Sequence, residues 1–185
     1  MQIEAYVVVS DDDMLADHNG KLPAALKNDA EWAFFQAGLN RSDVTILGRR
    51  SHAATPNHKH RRRIVMTRSV DTTGVIDQDR ALFWNPAETD LTDALAVFDA
   101  NLGHLAIVGG QAVFDYFLTG PFKYTAFHLS RVHGVELPGG TGVFGAVEAT
   151  GNTAEAVLTA NGFTPDPVRV LDEGVDVVTW KPNSL

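Results

Sequence analysis

Residues 104–118, HLAIVGGQAVFDYFL, lead from a strand-like apolar segment through two glycines into a segment with helical spacing. Apolar residues at 113, 114, 117 and 118 recur with the period of an amphipathic helix. Glycines between a strand and a helix let the backbone approach a pyrophosphate at the helix N-terminus. A tight turn without a ligand is the alternative, because the motif lacks the GxGxxG pattern.

Strand-like and helical segments alternate over residues 1–120, and strands dominate after that. This order predicts an α/β fold with a mostly parallel sheet and antiparallel strands at its C-terminal end. The expected strands are 3–10, 44–48, 63–67, 81–84, 104–109 and 124–132, followed by a hairpin around Gly174. The expected helices are 28–38, 90–99 and 111–118. The Gly- and Ala-rich stretch 138–165 predicts a loop and a short helix.

The composition is that of an ordinary globular protein: 185 residues, 44% hydrophobic and 21% charged. We expect one domain over residues 1–185. The absence of cysteine excludes disulfides, a thiolate zinc site and a cysteine nucleophile. The seven histidines show no metal-site spacing. No apolar run reaches about 18 residues and the N-terminus is not signal-like, so we expect a cytoplasmic protein without a membrane partner.

Positive charge is concentrated in one segment of an acidic chain. The net charge is −8, which argues against a nucleic-acid partner. Residues 49–68 nevertheless hold seven of the fifteen Lys and Arg residues and no Asp or Glu. Such a patch indicates a small polyanionic ligand, with a solvated loop as the alternative for the HKHRRR run.

Two strand-like segments end in this basic region. Residues 44–51, VTILGRRS, and 63–69, RIVMTRS, each pass from an apolar strand to arginine and a hydroxyl group. Because parallel strands end at one edge of a sheet, where ligands bind, we expect both ends to lie together. A phosphate at this edge, such as the 2′-phosphate of NADP, would account for the arginines. A basic turn with Ser51 as a helix cap is the alternative.

Two acids occur at the start of the first expected helix, LKNDAEW at 26–32. Considered alone, Asp29 is typical of a first helical turn, where a carboxylate is favoured by the helix dipole. Glu31 stands where the partner of Asn28 in a capping box would be. The residues alone therefore give both acids a structural role.

Taken in order, these segments resemble dihydrofolate reductase from residue 1 to about 145. IEAYVVVS, GKLP and LKNDAEWAFFQ resemble the family's first strand, the end of its mobile loop and its active-site helix. ILGRRS, RRRIVMTRS and IVGGQAVFDYFL resemble its cofactor-binding segments. The start SDDDMLAD also resembles the reductase domain of riboflavin biosynthesis, which has the same fold. Ala24 replaces the family's usual Trp, and Phe114 replaces its Tyr.

The resemblance implies a dihydrofolate reductase-like fold with helices on both faces of the sheet, and NADPH as the cofactor. It makes Asp29 the catalytic acid, reversing the local interpretation. It implies substrate contacts from Val7, Val8, Asp29, Arg61 and Ser130, with Arg61 at the position of an Arg that binds the folate carboxylate. It implies cofactor contacts from Leu15, Ala16, Gly48, Arg49, Arg50, Ser51, Thr67, Arg68, Gly109, Gly110, Gln111, Ala112 and Val113.

We therefore expect an NADPH-dependent reductase of a pterin-type ring, with dihydrofolate as the first expected substrate. The alternative on the same fold is a ribosylaminopyrimidine of the riboflavin pathway or another heterocycle. A binding module that uses the 49–68 patch without catalysis is the third hypothesis. The expected partners are a small molecule and no nucleic acid, and the expected state is a monomer or homodimer.

Overall fold

A computed structural model of the chain describes residues 1–69, 80–98 and 102–183. The strands are β1 Gln2–Val9, β2 Met14–Ala16, β3 Val44–Gly48, β4 Arg63–Met66, β5 Ala81–Trp84, β6 His104–Ile107, β7 Ala126–Val132, β8 Thr141–Gly142, β9 Phe163–Pro165, β10 Arg169–Asp172 and β11 Val175–Pro182. The helices are α1 Asp29–Arg41, α2 Arg49–Ala54, α3 Leu91–Ala96, α4 Gln111–Thr119, α5 Gly145–Thr150 and α6 Ala154–Ala160. A short 3₁₀ turn, Ala24–Leu26, precedes α1.

The main sheet is parallel in its centre and antiparallel at one end. Its order is β10-β11-β7-β1-β6-β3-β4-β5, and β9 pairs with β11. Strands β7, β1, β6, β3, β4 and β5 run parallel to one another, whereas β11 runs antiparallel to β7, β9 and β10. The predicted α/β fold with antiparallel C-terminal strands is confirmed. The carboxyl ends of six parallel strands therefore meet at one edge.

Alternation along β1 shows which helices cover which face of the sheet. Tyr6 packs with Leu39 of α1 and with Ala106 of β6. Val7 and Val9 point to the opposite face, because successive strand side chains alternate, and they belong to the larger core that α4 covers. Helices thus lie on both faces, as expected.

The predicted elements mostly agree with the observed ones. The expected helix at 90–99 is α3, which begins at Leu91 and ends at Ala96, and the expected end at Asp99 lies outside the described residues. The hairpin turns at Gly174, whose positive φ of 68° favours glycine. Stretch 138–165 contains more structure than the single short helix expected, namely β8, α5, α6 and β9.

A buried ion pair connects the loop after β1 to β7 and α6. The Arg131 guanidinium donates to Asp13 at 2.6 Å and to the Ser10 carbonyl at 2.7 Å. The other oxygen of Asp13 accepts from the amide of Ala154 in the first turn of α6. The Asp13 side chain is only 5% exposed, so this contact is shielded from water. Glu155, 42% exposed, also contacts Arg131 at 2.6 Å.

We predict that Asp13→Asn lowers the free energy of unfolding by about 3 kcal/mol, because Arg131 would lose its buried anionic partner. Asparagine keeps the shape and tolerates the positive φ of residue 13, which is 63°. Urea unfolding would measure the loss. The control Glu155→Gln should cost under about 1 kcal/mol, since that carboxylate is well exposed. Equal losses in both variants would contradict the role given to Asp13.

Candidate active site

A cavity of about 700 Å³ opens at the edge where the parallel strands end. Its walls come from the ends of β1, β3 and β6, from α1, and from the segment that follows β3. Val7, Val8 and the glycines 109 and 110 lie in its floor, and Leu15 and Ala16 of β2 lie at one side. These predicted contact residues are therefore brought to one cavity.

Glu31 is the one acidic side chain in this lining, among the residues that the structure describes. It lies in the first turn of α1 and is 6% exposed. Burial raises the pKa of its carboxyl to about 7, and a hydrogen bond from the Ser130 hydroxyl offsets part of this effect. Ser130 is 1% exposed and stands opposite Val8 in the register of β7 and β1. A carboxyl with such a pKa can exchange a proton near neutral pH.

The structure does not bring Asp29, the predicted catalytic acid, into the cavity lining. Asp29 is exposed, outside the cavity lining, at the first position of α1. Two residues span about 200° around a helix, so Asp29 and Glu31 point in opposed directions and only one can face the sheet.

The helix is capped by the side chain of Asn28, and Glu31 does not have the role that a capping box would give it. The side chain of Asn28 itself accepts hydrogen bonds from the amides of Ala30 and Glu31, at 2.9 and 3.0 Å. The Glu31 carboxyl is directed to Ser130 instead. The sequence contains a pattern that predicts this burial. Glu31, Phe35 and Gly38 recur at helical spacing, which places Glu31 on the buried face of α1.

Arg61 lies at the outer end of the cavity, held against α1. One guanidinium nitrogen donates to Gln36 at 2.9 Å and to Asn40 at 2.7 Å, and Lys59 donates to Gln36 at 2.9 Å. Partial burial lowers the pKa of Arg61. Arg61 and Arg63 both line the cavity, and Arg62 does not.

The glycine pair lies directly against the end of β3. The amide of Gly48 donates to the carbonyl of Gly109 at 2.7 Å. A Cβ on Gly48 would lie 3.4 Å from Val113 and 3.5 Å from the amide nitrogen of Gly110. Gly109 has a φ of 105°, and the space beside Gly110 is open. The backbone is therefore accessible at the start of α4, where helix amides favour an anion.

The remaining predicted cofactor residues divide into two groups. Arg50 and Ser51 line the cavity, whereas Arg49, Thr67 and Arg68 lie outside its lining. These three are close in space because Gly48 and Met66 are partners in the β3–β4 register, and Arg49 donates to Ser69 at 2.6 Å. Ser69 also shares a hydrogen bond with Thr67, 3.0 Å away.

At α4, the three predicted cofactor residues after the glycine pair have different surroundings. Gln111 donates to the Gly142 carbonyl at 3.1 Å and to Glu148 at 2.6 Å, so its side chain is engaged with β8 and α5. Ala112 is exposed, and Val113 is buried against Gly48.

Other kinds of site find no support in the described parts of the chain. Over residues 1–69, 80–98 and 102–183, no helix is long and apolar enough to cross a membrane. The same residues contain no group of His, Asp or Glu that could hold a metal ion.

Comparison with solved structures identifies the architecture. A riboflavin biosynthesis protein of Shewanella sp. PV-4 matches with a TM-score of 0.69 and 18% identity over 100% of both chains. Dihydrofolate reductase of Enterococcus faecalis, complexed with NADP(H), matches with a TM-score of 0.64 and 15% identity over 99% of this chain and 97% of that one. The chain has the dihydrofolate reductase fold.

A third match with the dihydrofolate reductase fold is a longer protein. The deaminase and 5-amino-6-(5-phosphoribosylamino)uracil reductase of Thermotoga maritima matches with a TM-score of 0.66 and 14% identity. The alignment covers 98% of this chain and 56% of that protein. No family model and no curated protein sequence matches the chain.

The raised pKa of Glu31 predicts a measurable effect on stability. Because the folded protein holds this proton more tightly than the unfolded chain, the free energy of unfolding contributed by Glu31 is fully present below pH 4.5. It is lost as the pH rises through about 7. At pH 8 the free energy of unfolding of Glu31→Gln, measured with urea, should therefore exceed that of the parent by up to about 3 kcal/mol. At pH 4 the variant should show no such gain.

Asp29→Asn is the matched control for this measurement, since Asp29 is exposed on the same helical turn. It should show no gain in stability at pH 8. A pH-independent difference between the parent and Glu31→Gln would contradict the assignment of the raised pKa to Glu31.

Proposed function

We propose that the protein is an NADPH-dependent reductase that transfers hydride to a pterin-type ring, with dihydrofolate, reduced to tetrahydrofolate, as its first expected substrate. The observation that carries this proposal is the buried Glu31 carboxyl, paired with Ser130 in a cavity that also contains the glycine pair. One acid with a pKa of about 7 beside an anion-binding backbone suits a proton-linked reduction.

Glu31 is assigned the role that the resemblance gave to Asp29. Its carboxylate can accept hydrogen bonds from the amino and N–H edge of the ring, while Ser130 keeps it oriented. The negative charge then raises the proton affinity of the ring atom next to the carbon that receives hydride. Val7 and Val8, which line the cavity, would contribute apolar contacts to the ring.

The residues present fit a phosphorylated dinucleotide. The open space beside Gly110 leaves room for a pyrophosphate at the start of α4. Arg49, Arg50 and Arg68 would hold the adenosine phosphates. NADPH, when bound, supplies the hydride from its nicotinamide ring.

The second candidate substrate is a phosphoribosylaminopyrimidine, which the charge of the cavity suits equally. Lys27, Arg50, Lys59 and Arg61 all line the cavity, and Glu31 is the one acid there among the described residues. Such a rim suits a substrate with a phosphate as well as it suits the carboxylates of folate. NADPH oxidation at 340 nm, followed with dihydrofolate and then with the pyrimidine, decides between them.

We predict that Glu31→Gln lowers turnover by ~10²-fold or more at neutral pH, because the amide cannot carry the proton or the charge. NADPH affinity, measured by the quenching of tryptophan fluorescence, should stay within about twofold, since the cofactor contacts lie on other segments. Asp29→Asn is the control and should keep full turnover. Loss of activity in Asp29→Asn with Glu31→Gln unaffected would return the role to Asp29.

We predict a preference for NADPH over NADH that depends on the arginines at the ends of β3 and β4. Arg49→Ala and Arg68→Ala should each raise the Michaelis constant for NADPH by ~10- to 100-fold, which corresponds to one charge-assisted contact of about 1.5–3 kcal/mol, and leave that for NADH nearly unchanged. Arg62→Ala is the control, because Arg62 belongs to the same basic segment but precedes the amino end of β4, away from the carboxyl ends of β3 and β4. Equal Michaelis constants for the two cofactors in the parent protein contradict this prediction.

A further inference from the structure

Tyr6 lies beneath α1 and is held from several sides. Its hydroxyl donates to Glu4 at 2.5 Å and accepts from Arg41, in the last turn of α1, at 3.2 Å. Its ring stacks on His128 at a centroid distance of 4.6 Å. The side chain is 2% exposed, and its ring also contributes to the wall of the cavity.

The polar groups around Tyr6 keep its hydroxyl in one place. His104 and His128 approach the same oxygen of Glu4, at 3.2 and 3.6 Å. Hydrogen bonding to His128 is the largest cause that lowers the pKa of Glu4, to about 2, against the opposing effect of burial. Burial, with Glu4 as a further cause, raises the pKa of Tyr6, so its hydroxyl stays protonated and donates.

Helix α1 contacts the ring through a glycine. A Cβ at Gly38 would overlap the ring carbons of Tyr6 and lie 2.8 Å from its hydroxyl oxygen. The backbone of α1 therefore lies directly on the Tyr6 ring, with no side chain between them. A glycine inside a helix costs stability relative to alanine, and this close contact is the reason it is tolerated here.

Gly38 and Glu31 lie on the same side of α1, because seven residues make almost two complete turns. Below them, the sheet presents Tyr6 and Val8 of β1, which stand opposite His128 and Ser130 of β7. Tyr6 therefore supports α1 at Gly38, two helical turns away from the contact between Glu31 and Ser130. At the other end of α1, Asn28 is tied to Asp172 of β10 at 2.9 Å.

We propose that Tyr6 is a positioning residue for Glu31: its ring sets how closely α1 lies on the sheet, and this spacing keeps the Glu31 carboxyl at Ser130 and away from water. The inference rests on the proposed function for the importance of Glu31, but the position of that carboxyl can be measured without substrate.

The test introduces a methyl group at the contact and observes Glu31 directly. In Gly38→Ala the methyl group and the Tyr6 ring compete for the same space, so α1 lifts and water reaches Glu31. Carboxyl ¹³C NMR, with the Glu31 signal assigned by its loss in Glu31→Gln, should show the pKa of Glu31 falling by about one unit or more. Tyr6→Leu/Gly38→Ala, in which the smaller side chain makes room for the methyl group, should move this pKa back toward the parent value.

Two further variants separate positioning from general destabilisation. Ala37→Gly loosens the same turn of α1 from its exposed side and should leave the Glu31 pKa unchanged. If Gly38→Ala alone does not fold, Tyr6→Leu is compared with Tyr6→Leu/Gly38→Ala. The added methyl group should then shift the Glu31 pKa by less than about 0.3 units, because the space it enters is vacant.

A folded Gly38→Ala protein with the parent pKa at Glu31 overturns the proposal, and so does a shift of equal size in Ala37→Gly. A large shift caused by the methyl group in the Tyr6→Leu background also overturns it. If the parent reduces neither substrate, the proposed function fails while the NMR result still decides the role of Tyr6. If the parent is active, turnover should fall with the Glu31 pKa across the variants, with the Michaelis constant for NADPH unchanged.

Discussion

The depth at which α1 lies on the sheet is the constraint on which the candidate site depends. A carboxyl group is buried beside Ser130 only if the helix that carries it lies close to β1 and β7, and burial is what raises the pKa of Glu31 to about 7. The helix is fixed at its two ends by contacts of different kinds. Asn28 bonds to Asp172 near the N-terminus, and Arg41 bonds to the Tyr6 hydroxyl near the C-terminus. The part of α1 between these ends forms a wall of the cavity. The position of the helix and the pKa of Glu31 are therefore linked.

The distribution of charge around the cavity supports the same assignment. One acid faces several cations in the described lining, and it is the acid whose neutral form burial favours. A permanently ionised carboxylate in that place would repel an anionic substrate and an anionic cofactor. A carboxyl that titrates near neutral pH can bind a ring edge when it is ionised and hold a proton when it is not. The basic residues of the lining can thus attract an anion, and an acid that is partly neutral near pH 7 does little to oppose them.

Sequence patterns predicted the backbone of this site better than its side chains. Strands that are apolar on both faces and the hairpin at Gly174 could be predicted because each depends on short-range geometry, and the sheet order confirms them. The structure of residues 138–165 was not predictable from their own sequence, because α5 and α6 begin at amides that donate to the distant carboxylates of Asp115 and Asp13. The catalytic role was predicted for Asp29, and is now proposed for Glu31, for the same reason. Both positions suit a first helical turn locally, and only the face of α1 that meets β7 distinguishes them.

The two halves of the cavity also differ in what a substitution can change. The part of the cavity that we propose for the cofactor is formed largely by the backbone of the glycine pair, against which Gly48 packs, so its shape depends little on neighbouring side chains. The part that we propose for the substrate is formed by side chains on α1 and on residues 55–61, joined by the bonds of Gln36 with Lys59 and Arg61. Because those bonds are made by long, partly exposed side chains, the outer end of the cavity can be altered without disturbing β1 or β7. The side chains at the outer end of the cavity are therefore free to vary while Glu31 and the backbone of the glycine pair stay in place.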